Sequence, residues 1–100
     1  MAFVKVAEVE QVPPGASRVV EAGGRELALF NVDGTYYCIE NLCPHNEGPL
    51  GEGELEADVV ICPWHAWQFN VRTGRMIYNE SICVATYPCK VMDSAVFVEV

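Results

Sequence analysis

Positive charge is scarce in this chain. Six Lys and Arg stand against fourteen Asp and Glu, a formal net charge of −8 over 100 residues. Between Arg25 and Arg72 there is no Lys or Arg, while Glu26, Asp33, Glu40, Glu47, Glu52, Glu54, Glu56 and Asp58 all fall there. Nucleic acid and anionic membrane call for the opposite balance, so neither is expected as a partner. A basic protein surface suits the acidic patch, although solubility alone would account for any single acid. Histidine is scarcer still: His45 and His65 are the two in the chain, and each shares a short loop with a cysteine. If both serve those loops, none is left for general-base work or for a two-His, one-carboxylate iron site. No apolar run reaches about eighteen residues, and the opening Met1-Ala2-Phe3-Val4-Lys5-Val6-Ala7-Glu8 shows neither a basic leader nor a twin arginine. The reading is a soluble, cytoplasmic protein.

Helix signals are nearly absent, and strand signals fill the space. With 51% apolar residues the chain supports one folded domain with a modest core. Phe3 to Val9 alternates, Pro13-Pro14-Gly15 breaks it, and Arg18 to Glu21 resumes before Gly23-Gly24. Leu27 to Val32 and Thr35 to Ile39 flank Asp33-Gly34, a strong hairpin signal. Trp67 to Val71, Met76 to Tyr78, Lys90 to Met92 and Ala95 to Val100 read as further strands. The expected class is all-β, with roughly nine or ten short strands in antiparallel sheets.

Two loops carry the chemistry: Cys43-Pro44-His45 and Cys62-Pro63-Trp64-His65, separated by the sixteen residues Asn46 to Ile61. Each offers one thiolate and one imidazole. A zinc finger instead takes both cysteines from one knuckle and both histidines from a later helix. Mixed loops suit a two-iron cluster with two thiolates on one iron and two imidazoles on the other, and mononuclear zinc is the alternative. The pattern C-P-H-x16-C-P-W-H resembles the Rieske [2Fe-2S] family, as do the flanks Pro49-Leu50-Gly51 and Trp67-Gln68-Phe69-Asn70-Val71-Arg72-Thr73-Gly74. The resemblance implies that Cys43, His45, Cys62 and His65 bind one [2Fe-2S] cluster. It also implies antiparallel sheets with a small cluster-binding insert, residues 41–71, set into a base of residues 1–40 and 72–100. The insert would carry loops at Cys43–Leu50 and Cys62–Trp67, and a third loop, about Tyr78 to Ile82, would close over the cluster. Family members often have a proline in that third loop, where this chain has Asn79-Glu80-Ser81.

High-potential members of the family carry a serine and a tyrosine that donate to sulfur, and a disulfide joining the two loops. The corresponding positions are Trp67, Phe69, Gly48 and Trp64, none of which has the feature, so the resemblance is to the low-potential ferredoxin branch. Ala66 stands where many relatives have glycine, implying a backbone conformation that alanine tolerates. Trp64 and Trp67 are candidates for shielding the cluster or for docking. The expected function is one-electron transfer from a flavin-containing NAD(P)H reductase to a terminal oxygenase, typically of aromatic-compound metabolism, by a monomeric carrier that is not itself an enzyme. No P-loop or dinucleotide fingerprint is present, so electrons must come from another protein. The alternatives are a small redox subunit fixed in a larger enzyme, such as NAD(P)H nitrite reductase, and a zinc-stabilised binding module. The other cysteines, Cys38, Cys83 and Cys89, lie in strand-like apolar surroundings and read as small buried hydrophobes. A Cys83–Cys89 disulfide or a redox-sensing thiol is the alternative for these three.

Overall fold

The computed structural model describes residues 2–42, 48–64 and 66–100, and its regular structure there is ten strands and two single-turn 3-10 helices. The strands are β1 (Phe3–Glu8), β2 (Ser17–Ala22), β3 (Arg25–Val32), β4 (Thr35–Glu40), β5 (Glu54–Glu56), β6 (Val59–Ile61), β7 (Gln68–Asn70), β8 (Thr86–Tyr87), β9 (Cys89–Met92) and β10 (Ala95–Glu99). They form three antiparallel sheets, ordered β1-β10-β9, β2-β3-β4-β8 and β5-β6-β7.

Strand β3 of the middle sheet is buried on both faces, which explains its unbroken apolar run Leu27-Ala28-Leu29-Phe30. Leu27 and Leu29 pack with Val20, Cys38, Val96 and Val98 on the side of the β1-β10-β9 sheet. Ala28 and Phe30, with Ile39 of β4, face the other way onto Val60, Cys62, Phe69 and Val71. One strand thus supplies two cores, and the second contains a candidate metal ligand.

The turns follow the backbone demands read from sequence. Asp33 and Gly34 have φ of 55° and 96°, as a two-residue hairpin requires, and the Asn31 side chain accepts the Gly34 N–H at 2.7 Å. Asp93-Ser94 makes the same kind of turn without glycine, at 53° and 62°. Elsewhere the expectation needs correcting. Met76 to Tyr78 is not a strand: Met76 forms a single bridge to Phe69, and the segment then leaves the sheet with Ile77 and Tyr78 exposed. The cause is local, because the Asn79 side chain and carbonyl accept from Ser81 and Ile82 and turn the chain back. The β5–β6 hairpin and β8 were not foreseen.

Candidate metal centre

Of the four candidate ligands, Cys62 belongs to the described residues, while Cys43, His45 and His65 lie outside them. What the structure shows is how the ends of the two loops are held. The first loop leaves β4 through Asn41, which is 97% buried. Its carbonyl accepts the Leu50 N–H at 2.6 Å, and its side-chain Oδ1 accepts the Gly51 N–H at 2.8 Å. Next to it, Leu42 and Pro49 form an antiparallel bridge. Asn41 is therefore a clasp on both strands of the loop base, a role in which a buried amide satisfies backbone groups that no sheet can reach. Sequence does not announce this role, because the Asn41 Oδ1 accepts from an N–H ten residues on, beyond the reach of a local Asx turn.

The second loop leaves β6 at Cys62, whose N–H donates to the Trp67 carbonyl at 2.7 Å and so closes the turn. Cys62 is 1% exposed and sits in the same core as Phe69 and Val60. Ala66 adopts φ of 57°, the left-handed region that favours glycine, so alanine is strained at this position rather than comfortable. Trp64 is half-exposed, and Trp67 packs partly buried against the core that contains Cys62.

The two loops meet at Gly48. A Cβ there would lie 2.8 Å from the Cys62 sulfur and 3.3 Å from Cβ and Cγ of Trp64. Glycine is thus required by close approach, a cradle that any side chain would fill. The same contact brings together Gly48 and Trp64, the two positions that the family resemblance equates with the disulfide of high-potential members. A buried sulfur closely wrapped by a neighbouring loop's backbone suits a thiolate-bound iron centre, in which backbone N–H groups offset the charge on sulfur.

The surroundings are acidic. Glu52 lies in a single-turn helix just after the first loop, and Glu54 and Glu56 point outward from β5 on either side of the partly buried Leu55. Among the described residues none of the three has an ion-pair partner; the recorded pairs are Lys5 with Glu8 and Arg72 with Asp58. Glu47 lies outside the described residues. The expected third loop is exposed from Tyr78 to Ser81, and the Gln68 amide donates to the Tyr78 hydroxyl at 3.2 Å.

The other three cysteines do not share one environment. Cys38 is buried, Cys89 is half-buried and Cys83 is exposed, so the reading of three buried hydrophobes holds for Cys38 alone. Cys83 follows the Asn79 turn, where its backbone pairs with Arg75 in an isolated antiparallel bridge.

Comparison with known proteins extends these observations. The Rieske [2Fe-2S] domain profile matches residues 2–88. The chain is 36% identical, over 102 aligned positions, to the biphenyl dioxygenase ferredoxin subunit of Pseudomonas sp. (strain KKS102), covering 99% of this chain and 93% of that one. A chain in the complex of reduced oxygenase and oxidised ferredoxin of carbazole 1,9a-dioxygenase superposes with a TM-score of 0.85 at 32% identity, covering 96% and 91% of the two chains. A nitrite reductase (NADPH) small-subunit protein superposes over the full length of both chains with a TM-score of 0.85 at 21% identity, a likeness of fold alone.

Proposed function

Because this chain belongs to the Rieske [2Fe-2S] family and takes one [2Fe-2S] cluster as cofactor, we propose that it is the ferredoxin of an oxygenase system. In this reading it accepts single electrons from a flavin-containing NAD(P)H reductase and passes them to a terminal oxygenase acting on an aromatic compound, and it is a cytoplasmic monomer. The observation that carries it is the meeting of the two loops, Gly48 against the Cys62 sulfur, in a chain aligned over nearly its whole length with a dioxygenase ferredoxin subunit. None of its described helices is long and apolar enough to cross a membrane.

Cys43 and Cys62 would hold one iron and His45 and His65 the other. The cluster supplies a site that takes up and releases one electron at a time. The protein's own residues do the rest. Burial of Cys62 keeps water from its sulfur, and the Asn41 clasp fixes the base of the first loop. Leu42 and Trp64, each 50% exposed at the ends of the two loops, would offer apolar docking surface, and the exposed Glu52, Glu54 and Glu56 would steer a basic partner. The insert of residues 41–71 is the cluster-binding unit in this reading. It is supported by the β5-β6-β7 sheet, which falls wholly within those limits.

The test is direct. Two iron and two sulfide per chain are expected, together with the anisotropic paramagnetic signal of a reduced mixed-ligand centre. Alanine at Cys43 or Cys62 should abolish assembly, and alanine at His45 or His65 should give a labile or altered cluster. Stoichiometric zinc without sulfide would overturn the assignment. A chain that keeps its cluster only when bound to a larger enzyme would be a fixed subunit and not a shuttle.

A further inference from the structure

The structure brings together two cysteines that are not candidate metal ligands. Cys38 of β4 is directly opposite Tyr87 of β8 in the middle sheet. Two residues on, the chain has crossed to β9 of the neighbouring sheet, where Cys89 pairs with Val98. The Cys89 side chain turns back, its sulfur 3.7 Å from the Tyr87 carbonyl, so it lies against the residue paired with Cys38. Both residues belong to the same apolar cluster, Cys38 buried within it and Cys89 partly buried against it. Both also line one surface crevice of about 480 Å³, open to small solutes, together with Tyr36, Thr86 and Pro88.

We propose that Cys38 and Cys89 are an oxidisable dithiol, a modification site that forms an intramolecular disulfide when the protein meets hydrogen peroxide. Cys89, the accessible member, attacks one peroxide oxygen; the O–O bond breaks, and the departing hydroxide leaves as water with the thiol proton. The Cys38 sulfur then displaces hydroxide from the resulting sulfenic acid, and its proton leaves in a second water. Two thiols lose two electrons and two protons, and one peroxide becomes two waters. Cys38 is buried and Cys89 half-buried, so peroxide reaches the Cys89 sulfur first and Cys38 serves as the resolving thiol. The Cys38 thiol is held above its ordinary value by its hydrogen bond with the Cys89 side chain, then by burial and the Cys89 charge, so the resolving step is the slower of the two. A reducing compartment keeps such a pair open until an oxidant appears. The bond would tie β4 to β9 and close the segment 38–89, which contains both Cys-Pro loops. It would be a two-electron thiol site separate from the one-electron cluster.

The holoprotein is treated with stoichiometric hydrogen peroxide at neutral pH while its visible spectrum is intact, then alkylated, digested and mapped by mass. The expected result is a peptide pair joined through Cys38 and Cys89, two hydrogens lighter than the dithiol form and restored by dithiothreitol. Cys89→Ser and Cys38→Ser should each abolish that peptide, and Cys83→Ser should leave it in place. Cys38 and Cys89 both remaining alkylatable while exposed Cys83 oxidises would overturn the proposal. So would a cross-link joining Cys83 to Cys89, or one joining two chains.

Discussion

Substituting Gly48 by alanine tests whether the two loops act as one site. The new Cβ would start 2.8 Å from the Cys62 sulfur, and ordinary contact begins at 3.4 Å, so the loops must separate by about 0.6 Å. They cannot yield elsewhere at little cost. Trp64 Cβ and Cγ are already 3.3 Å away, the Cys62 N–H is bonded to the Trp67 carbonyl, and the first loop is fastened by Asn41 and the Leu42–Pro49 bridge. Overpacking of this kind costs about 1–3 kcal/mol. If that strain is relieved when the cluster is lost, the loss should be about fivefold to 150-fold faster. The assay is the decay of the visible spectrum in air, with iron and sulfide content measured on the fresh protein and the paramagnetic signal recorded after reduction. Full occupancy with wild-type half-life and signal would refute the reasoning, since it would mean that Gly48 and the Cys62 sulfur do not meet in the holoprotein.

Phe69→Tyr adds a hydroxyl to a fully buried ring in the same core as Cys62. A donor gaining about 1 kcal/mol on reduction raises a one-electron potential by about 40 mV, from a wild-type value within roughly 100 mV of −150 mV. Redox titration checks both, and a lowered potential with an intact cluster would count against the assigned position. Ala66→Gly should stabilise the protein by up to about 1 kcal/mol, because release of left-handed strain exceeds the added flexibility of the unfolded chain. Thermal unfolding of the holoprotein reads this, and a lowered midpoint would refute it. Charge reversal at Glu52 together with Glu47 should slow electron transfer with the native reductase and flatten its decline with salt, as the screening length falls to about 8 Å at physiological ionic strength. A salt-independent wild-type rate would leave those acids to solubility.

Residue type and spacing determined a good deal of this protein unaided. The hairpin at Asp33-Gly34 was legible because positive φ is a backbone demand that few residues meet, and its flanking strands because their residues favour extended chain. The paired Cys-Pro loops announced a metal because thiolate and imidazole at fixed separation have few other uses. The β5–β6 hairpin escaped notice because its turn uses Ala57, at φ of 55°, in place of glycine, and because Glu54-Leu55-Glu56 has little intrinsic strand preference. Only the tertiary structure could decide three further matters. It brought Gly48 against the Cys62 sulfur, set the Asn41 amide across the base of the first loop, and placed Cys89 beside Cys38 and not beside the nearer Cys83. Sequence records local backbone preference and ligand chemistry residue by residue. Which distant groups touch is fixed by register between strands and by how sheets pack, and those follow from burying the whole apolar surface at once.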